Sequence, residues 1–563
     1  MRFLVAALLC IHSVLAQDKY PKDYFRSPMD IPLSLAGSFG ELRPNHFHSG
    51  LDFRTEKREG IPIYASADGF VSRIKIATGG YGKSIYIDHP NGFTTVYAHL
   101  QSYSPSLQKM MNEQQYARKS FEIELYPKPD EFPIKKGELI AYSGNTGSSG
   151  GPHLHFEFRD TKTEKIINPL FFGFDAKIKD TKAPQVTGLL AYPIGDSSQV
   201  NNSSRPVFIS LSLQSDGSYL AEQVAACGKL AFGINAYDTS DFNYGKNGIF
   251  EIDTFLNGLP YFGFEFETFS FDETKYVNTF IDYPRYQAQK QRYQKLFVGA
   301  HYANSIMKET KNDGIISVFS NFSLTYKIVV RDFNGNSTVI NVPISYAKLP
   351  VIQKEKTMKP GYFLKSRIDN SYAKDGISVF IPAYTFEEDF FLDFDVKDNE
   401  LFLHDDSVAV LENMTITFDV SKIPEAERAK MFIANLDDGK ATYRTTYKKD
   451  SLFSIKTKSL GKFFLMKDTV APKIYQASFK EGDTLDKQKT LKVSIYDDLS
   501  GIKEYNAYLN GKWILMEYET KTHRLTHNFS DAVFDDGRND FKIIVTDNLG
   551  NSTTFESYFF KTK

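Results

Sequence analysis

This chain of 563 residues has only two cysteines, Cys10 and Cys227, and little net charge. Its 67 Lys and Arg residues nearly balance 69 Asp and Glu residues, so the net charge is only −2. This balance excludes a global positive field that would attract nucleic acid, and leaves open only a local basic groove. Beyond the first residues, no stretch approaches the roughly 18 continuous apolar residues of a membrane-spanning helix. We therefore expect no nucleic-acid partner and no transmembrane segment.

The N-terminal residues have the pattern of a targeting segment. Arg2 precedes an apolar run from Phe3 to Cys10, and Val14-Leu15-Ala16 follows. This pattern predicts a signal peptide, residues 1–16, that is cleaved after Ala16. The alternative is a lipoprotein with Cys10 as lipid acceptor, which the short run and the large residue before Cys10 disfavour. Cleavage leaves Cys227 alone, so we expect an exported protein without an internal disulfide, in the periplasm, on the outer surface or outside the cell.

Length and aromatic content predict several β-rich domains. At roughly 150 residues per domain the chain corresponds to three to five domains, and its 33 Tyr and 48 Phe residues favour strands. In residues 17–176, strand-like segments such as 69–76 and 139–143 alternate with Gly-rich turns, which predicts a small, mainly antiparallel β domain. Residues 104–134 interrupt it with a helix from Ser104-Pro105 to about Lys119. This insertion is predicted to be either a wall or lid for a groove or a stabilising surface hairpin.

The segment Gly151-Pro-His153-Leu-His155-Phe-Glu157-Phe158 alternates polar and apolar residues and therefore predicts a half-buried strand. Alternate side chains of a strand point to opposite faces, so His153, His155 and Glu157 share one face. Two residues along a strand span roughly 6.6 Å. One imidazole can then bind a metal while the other reaches the water that the metal activates. Glu157 is either a partner that fixes a histidine tautomer or a solvated strand charge.

Two other segments supply groups of the same chemistry. His48 and Asp52 are separated by Ser49-Gly50-Leu51, and Gly50 permits a turn or a close approach of the backbone. His99 ends the strand-like segment 94–99. Two His and one Asp suit Zn²⁺ with an open fourth position, whereas a structural site would be closed by four protein ligands. Such a site hydrolyses amides when a further group takes a proton from water and another stabilises the oxyanion.

Together, His48-Ser-Gly-Leu-Asp52, Tyr97-Ala-His99-Leu and Gly151-Pro-His153-Leu-His155-Phe resemble the motifs of the lysostaphin and LytM type of zinc metalloendopeptidase. The resemblance covers about residues 35–170. It implies that His48, Asp52 and His155 are zinc ligands, and that His153 and His99 orient and deprotonate the water and stabilise the intermediate. It also implies peptidoglycan peptides, in cross-links or stems, as substrate. Glycine-rich proteins are the rarer substrate of this family.

Two further histidines near these motifs are expected to lie outside the site. His46 competes with His48 as a ligand, but only His48 has the three-residue gap to Asp52. His89, in a His-Pro-Asn-Gly turn, is expected to satisfy backbone groups. The alternative function is a catalytically inactive or ancillary domain in a hydrolase activator or a surface-binding scaffold. Loss of a ligand or base would indicate it, and all five residues are present.

A repeat organises the rest of the chain. The matching segments are Asp180–Pro184 with Asp468–Pro472, Tyr237-Asp238 with Tyr496-Asp497, Asp332 with Asp547, and Gly335-Asn336 with Gly550-Asn551. Short strands at regular spacing predict immunoglobulin-like β-sandwiches over 177–348 and 468–563, with another β-rich module over 349–467. The aromatic stretch 261–271 is expected to serve core and inter-domain packing rather than glycan binding. We expect these modules to position the enzyme, or to bind a cell-envelope protein.

Overall fold

The computed structural model describes residues 19–562 except 242–244, 300–304, 309, 320–322 and 348–360. The predicted signal peptide therefore lies outside the described residues. Strands dominate every described region, which confirms the mainly β fold class. None of the helices in these ranges has the length and apolar character needed to span a membrane.

The N-terminal domain, residues 19–176, combines a large antiparallel sheet with a small one. Its elements are β1 (Leu35–Gly37), β2 (Leu42–Arg43), β3 (His46–Phe47), β4 (Leu51–Arg54), β5 (Pro62–Tyr64), β6 (Gly69–Ile76), β7 (Lys83–Asp88), β8 (Phe93–Ala98), β9 (Leu100–Tyr103), α1 (Pro105–Arg118), β10 (Ile123–Leu125), β11 (Pro133–Ile134), β12 (Leu139–Ser143), β13 (His153–Asp160) and β14 (Ile166–Ile167). The large sheet has the order β1-β4-β13-β8-β7-β6-β10, and the small one β5-β12-β9. The predicted strands and helix are confirmed to within about two residues, as is usual for element boundaries.

Strand β13 lies inside the large sheet, between β4 and β8. Its apolar face, formed by Leu154, Phe156 and Phe158, is fully buried, and Phe158 stacks on Phe172 with ring centroids 3.9 Å apart. Burial of each of these side chains stabilises the fold by roughly 1.5–3 kcal/mol. The prediction of a half-buried strand is wrong, because the polar face is covered as well: His155 and Glu157 are 3% and 0% exposed.

The first β module, residues 177–347, contains one mixed sheet of 11 strands. Its elements are β15 (Gln185–Val200), β16 (Val207–Ile209), β17 (Leu211–Leu213), β18 (Tyr219–Ala221), β19 (Val224–Tyr237), β20 (Glu251–Leu256), β21 (Leu259–Glu265), β22 (Thr268–Phe269), α2 (Val277–Phe280), α3 (Tyr283–Gln289), β23 (Gln294–Lys295), β24 (Ile316–Val318), β25 (Leu324–Arg331) and β26 (Ser337–Tyr346). Strand β22 leaves this sheet and pairs with β14 of the N-terminal domain.

The aromatic stretch 261–271 joins the first β module to the N-terminal domain. Phe266 contacts Phe47 with ring centroids 5.6 Å apart, and Phe269 contacts Phe39 at 4.9 Å. One hydrophobic core runs continuously through both regions. The prediction that these aromatic residues serve inter-domain packing is confirmed.

The second β module, residues 361–467, packs two five-stranded sheets, β28-β29-β33-β37-β36 and β31-β32-β38-β34-β35. Its elements are β27 (Tyr362–Leu364), β28 (Asn370–Lys374), β29 (Ile377–Ile381), β30 (Phe390–Leu392), β31 (Phe394–Lys397), β32 (Glu400–Leu403), β33 (Met414–Asp419), α4 (Glu425–Arg428), β34 (Met431–Asp437), β35 (Lys440–Tyr443), β36 (Tyr447–Lys449), β37 (Leu452–Thr457) and β38 (Gly461–Lys467). A separate hydrophobic core holds these sheets together.

The third β module, residues 468–562, has two four-stranded sheets, β39-β40-β44-β43 and β42-β41-β45-β46. Its elements are β39 (Lys473–Tyr475), β40 (Thr490–Tyr496), β41 (Ile502–Leu509), β42 (Lys512–Ile514), β43 (Glu517–Glu519), β44 (Arg524–Asn528), β45 (Gly537–Asp547) and β46 (Ser552–Lys561). Its own core lies between the sheets, as expected of a β-sandwich. The immunoglobulin-like assignment stays a prediction.

The insertion 104–134 of the N-terminal domain packs against the third β module. Its strands β10 and β11 pair with β6 at the edge of the large sheet opposite β1. Tyr116 of α1 packs edge-on against Trp513 and donates a hydrogen bond of 2.7 Å from its hydroxyl to Asp531. Lys83 forms an ion pair with Glu517 at 2.8 Å. The insertion therefore extends the sheet and contributes to a contact between distant parts of the chain.

Candidate metal centre

The structure brings three of the predicted site residues together beside β13. Asp52 on β4 and His155 on β13 are direct cross-strand partners, and His48 lies just before β4. His155 Nδ1 is 2.9 Å from Asp52 Oδ1, and His48 Nε2 is 3.1 Å from each of those atoms. The three atoms form a group that could hold a metal ion.

Gly50 permits this convergence through a close approach of two backbones. A Cβ atom at position 50 would lie 2.4 Å from the carbonyl oxygen of Phe156 on β13, too close for any other residue. Of the two expected roles of Gly50, a turn or a close approach of the backbone, the structure shows the close approach. His48 and Asp52 are thereby held against the strand that carries His155.

The two histidines of this group direct unshared electron pairs at the same point. His48 Nδ1 lies 2.7 Å from the carbonyl oxygen of Ser38, to which it can only donate. His155 Nε2 lies 2.8 Å from Glu157 Oε1, again an acceptor. The opposite ring nitrogens, His48 Nε2 and His155 Nδ1, are then free of hydrogen in the neutral rings. Two imidazole nitrogens and one carboxylate oxygen form a donor set that suits Zn²⁺.

In the metal-free protein, the charges of this group depend on one another. Burial opposes the charge on Asp52, but His48 and hydrogen bonds from His153, His155 and His48 outweigh it and hold the pKa of Asp52 well below its usual range. Burial likewise disfavours the charged form of His155, but Asp52 and Glu157 raise its pKa to about 9. These two shifts favour an ion pair between Asp52 and His155, whose Oδ1 and Nδ1 atoms are 2.9 Å apart.

His99 and His153 lie beside this group with their rings 4.8 Å apart, centroid to centroid. His99 Nδ1 is 2.8 Å from the carbonyl oxygen of Thr146, and His153 Nδ1 is 2.8 Å from that of Gly151. Both rings must donate from Nδ1, so both carry an accepting Nε2 when neutral. Burial, followed by the charges of His155 and His153, lowers the pKa of His99 to about 3, which keeps it neutral.

Glu157 anchors a buried network that the sequence indicated only in part. Ser49 donates a 2.6 Å hydrogen bond to Glu157 Oε1, and the Tyr81 hydroxyl contacts the same atom. Arg159 donates two hydrogen bonds, of 2.8 and 2.7 Å, to Glu157 Oε2. The prediction that Glu157 partners a histidine is confirmed, and the solvated alternative is wrong. Continuing the alternation by one step beyond Glu157 would have revealed Arg159.

Arg43 was not predicted from the sequence, although it contacts the candidate metal centre. Its Nη2 lies 3.0 Å from Asp52 Oδ2 and 3.1 Å from Glu41 Oε2. This contact fixes the carboxylate of Asp52 with Oδ1 toward the histidines. No local pattern pairs positions 43 and 52, so only the fold reveals it.

The other two histidines lie outside the candidate metal centre, as expected. His46 is exposed, and its Nδ1 lies 2.9 Å from the carbonyl oxygen of Pro44. His89 is buried between the carbonyl oxygen of Asp68 and the hydroxyl of Thr95, each at 2.8 Å. The prediction that His89 satisfies backbone groups is confirmed.

The chain resembles known peptidases in this region. Residues 46–117 match the model of peptidase family M23, and residues 361–468 match that of the Zu5-like domain. An uncharacterized metalloprotease of Haemophilus influenzae is 37% identical over 131 residues, 23% of this chain and 21% of that protein. DD-carboxypeptidase/endopeptidase Mpg of Neisseria meningitidis serogroup B is 36% identical over 112 residues, 20% of each chain. The N-terminal domain therefore resembles peptidase family M23 over these residues.

The chain spans only about a fifth of the length of these curated relatives. Peptidoglycan DD-endopeptidase ShyC of Vibrio cholerae is 28% identical over 145 residues, 24% of this chain and 27% of that protein. Among solved structures, the catalytic domain of lysostaphin from Staphylococcus simulans is 22% identical, covering 25% of this chain and 91% of that chain with a TM-score of 0.19. The match to the M23 family model lies in the N-terminal domain, whereas the second β module matches the Zu5-like model.

Proposed function

We propose that this chain is an exported, zinc-dependent endopeptidase that hydrolyses peptide bonds in the cross-links or stems of bacterial peptidoglycan. The observation that carries the proposal is the convergence of His48 Nε2, Asp52 Oδ1 and His155 Nδ1 at one point, each orientated by a partner on its other side. A fourth position remains for water or substrate, which is the property that separates catalytic from structural zinc sites.

The candidate metal centre supplies the chemistry that amide hydrolysis needs. Zn²⁺ held there would act as a Lewis acid on the attacking water and on the scissile carbonyl. Asp52 and His48 would keep their positions during turnover, because Arg43 pairs with the other oxygen of Asp52 and the Ser38 carbonyl accepts from His48 Nδ1. Glu157 would do the same for His155, and its negative charge makes the ring a stronger ligand.

His99 and His153 are proposed to handle the protons. A neutral His99 accepts a proton from water at Nε2 and later returns it to the leaving amine. Its Nδ1–H bond to Thr146 fixes the tautomer that makes Nε2 the accepting atom. His153 Nε2 lies 3.4 Å from Asp52 Oδ1 and so faces the same space. Once protonated, it can donate to the oxygen on which negative charge develops.

The substrate class is supported by the relatives rather than by the geometry. Two of the similar proteins carry the names DD-carboxypeptidase/endopeptidase and peptidoglycan DD-endopeptidase. The similarity to them spans only 20% and 24% of this chain, so the bond that this chain cleaves is part of the proposal.

The proposal is tested by incubating the purified chain from residue 17 with isolated peptidoglycan, with and without a chelator, and identifying the fragments by mass. We expect soluble muropeptides with a newly freed amino group, and no release in the presence of the chelator. His46→Ala is a matched control, because His46 lies next to the motif but outside the candidate metal centre. Intact sacculi after full zinc repletion would refute the proposal and favour an ancillary or scaffold role.

A further inference from the structure

Three aspartates that the peptidase chemistry does not use converge where the first β module begins. They are Asp180, Asp238 and Asp332, and they form a second group of ligand atoms that could hold a cation. Asp180 precedes β15, Asp238 follows β19 and Asp332 follows β25. We name this group the first carboxylate cluster. It borders a cavity of about 40 Å³.

Two oxygen atoms at this cavity are buried without a hydrogen-bond partner among the described residues. They are Asp238 Oδ1 and Asn247 Oδ1, on side chains that are 5% and 4% exposed. Asn247 is not one of the three aspartates, but it borders the same cavity. A buried polar atom without a protein partner destabilises a fold unless a water molecule or an ion satisfies it. Asp238 Oδ1 and Asn247 Oδ1 are both acceptor oxygens, so the missing partner must be a hydrogen-bond donor or a cation.

The same arrangement recurs in the third β module. Asp468, Asp497 and Asp547 form another group of ligand atoms, which we name the second carboxylate cluster. Each member is the repeat equivalent of one in the first carboxylate cluster. Two buried oxygens here, Asp468 Oδ2 and Ser500 Oγ, likewise have no hydrogen-bond partner among the residues that the structure describes. Ser500-Gly-Ile corresponds to Asn247-Gly-Ile. A feature kept at both copies of a repeat has a common physical cause in the two modules.

Charge in the two clusters is not balanced by protein. No lysine ammonium or arginine guanidinium forms an ion pair within 4.0 Å with any of the six carboxylates in the part of the chain that the structure describes; the nearby Lys179 pairs with Asp241. Burial, followed by the charges of Asp180 and Asp332, raises the pKa of Asp238 to about 8. Three carboxylates, two of them buried in each cluster, therefore repel one another unless a proton or a cation intervenes.

We propose that each carboxylate cluster binds one Ca²⁺ ion. All donors are oxygens, which suits a hard cation rather than Zn²⁺. Carboxylates that can bind through one or two oxygens, together with an amide or hydroxyl oxygen, match the irregular coordination of Ca²⁺ better than the strict octahedron of Mg²⁺. Binding replaces the proton on Asp238 and satisfies Asn247 Oδ1.

Both clusters lie where a module meets its predecessor. The cavity of the first carboxylate cluster is also bordered by Leu35 and Ser38 of the N-terminal domain. Gly248, next to Asn247, donates a 2.8 Å hydrogen bond to Ser38 Oγ. At the second cluster, the backbone N–H of Asp468 donates a 2.9 Å hydrogen bond to the carbonyl oxygen of Lys430 in the second β module. Bound Ca²⁺ would therefore stiffen two junctions of the chain.

Calcium binding is measured by calorimetric titration of CaCl₂ into the zinc-loaded chain from residue 17. We expect two ions per chain for the wild type and one each for Asp238→Asn and Asp497→Asn, since Ca²⁺ affinity follows ligand charge. Each variant should weaken its own site by at least roughly tenfold. Asp216→Asn, an exposed turn aspartate of the first β module, is the matched control and should keep two. No binding, two ions in the variants, or equal affinity for MgCl₂ would overturn the proposal.

Thermal unfolding separates a calcium ligand from a merely structural aspartate. Ca²⁺ should raise the unfolding temperature of the wild type, because a ligand that binds the folded state stabilises it. Asp238→Asn keeps this side chain neutral, as the proton does in the wild type, so without Ca²⁺ it should unfold at a temperature no lower than the wild type, and Ca²⁺ should shift it less. An unfolding temperature that falls in Asp238→Asn with an unchanged Ca²⁺ shift would overturn the assignment.

Discussion

The candidate metal centre and the first carboxylate cluster both collect buried acidic groups, but they differ in their donor atoms. In the N-terminal domain, one carboxylate shares its space with two imidazole nitrogens, and Arg43 and Arg159 balance the surrounding charge. In the first β module, three carboxylates meet without an imidazole ligand, and no described lysine ammonium or arginine guanidinium forms an ion pair with them within 4.0 Å. The first arrangement favours Zn²⁺ and the second Ca²⁺.

The positions of the two sites differ as well. The candidate metal centre lies on paired strands β4 and β13, whose register fixes the distance between Asp52 and His155. The carboxylate clusters lie at or just beyond the ends of strands, where modules join. A rigid sheet suits catalysis, because catalytic groups must hold their geometry. A junction suits a cation that stabilises the arrangement of modules.

The largest expected effect is that of His155→Ala. Removing one of three protein ligands should abolish zinc binding, and activity on peptidoglycan should fall by more than roughly 10⁴-fold, beyond the loss of a base alone. Calcium binding should not change, because the two kinds of site share no ligand. Metal content by mass spectrometry and fragment release measure the two outcomes. A His155→Ala variant that keeps zinc and activity would refute the ligand assignment.

A smaller effect is expected from His99→Gln and His153→Gln. Each variant should retain one zinc ion per chain but lose roughly 10²–10⁴-fold in turnover, the usual contribution of a general acid or base. The loss should fall on kcat rather than on KM. Zinc content and steady-state kinetics provide the measurement. If either variant loses zinc, that histidine is a ligand and the assignment of roles changes.

Glu157→Gln should have a more moderate effect, acting through His155. The neutral amide is a weaker acceptor for His155 Nε2 and leaves the Arg159 guanidinium without its buried countercharge. Zinc affinity should fall by roughly 10- to 100-fold. Competition with a chromophoric chelator measures it, with His46→Ala as the unaffected control. Unchanged affinity would mean that the network only supports the fold.

The smallest expected effect concerns the contact between the N-terminal domain and the third β module. Tyr116→Phe removes the hydrogen bond to Asp531 and keeps the ring against Trp513. The free energy of unfolding should fall by about 0.5–1.5 kcal/mol. Tyr126→Phe, in the same insertion but 67% exposed, is the control and should fall less. Denaturant unfolding compares the two, and equal losses would argue against the contact.

Local patterns predicted the parts of this molecule whose determinants are close in sequence. The alternation over β13 and the gap from His48 to Asp52 identified groups that the fold brings together, because strand periodicity fixes which side chains share a face. The burial of both faces of β13 was not predictable, since it depends on Ser49, Tyr81 and Arg159 covering Glu157. Periodicity predicts which side chains of a strand share a face, but not which distant residues cover that face.

Contacts between distant segments were the other part that the sequence did not reveal. The repeat drew attention to Asp180, Asp238 and Asp332, but only the pairing of β15, β19, β25 and β26 brings them into one group. The pairing of β14 with β22, and the single 11-stranded sheet of the first β module, likewise depend on register between remote strands. No local signal encodes such a register.

The most direct test of the proposed function is a zinc titration of the chelator-stripped chain during peptidoglycan digestion. The account predicts no fragment release without metal, and activity that rises with zinc until one ion per chain is bound at the candidate metal centre. Saturation should be absent in Asp52→Ala, and the products should carry one new amino group for each bond broken. Full activity in the stripped chain, or intact peptidoglycan at full zinc occupancy, would contradict the account.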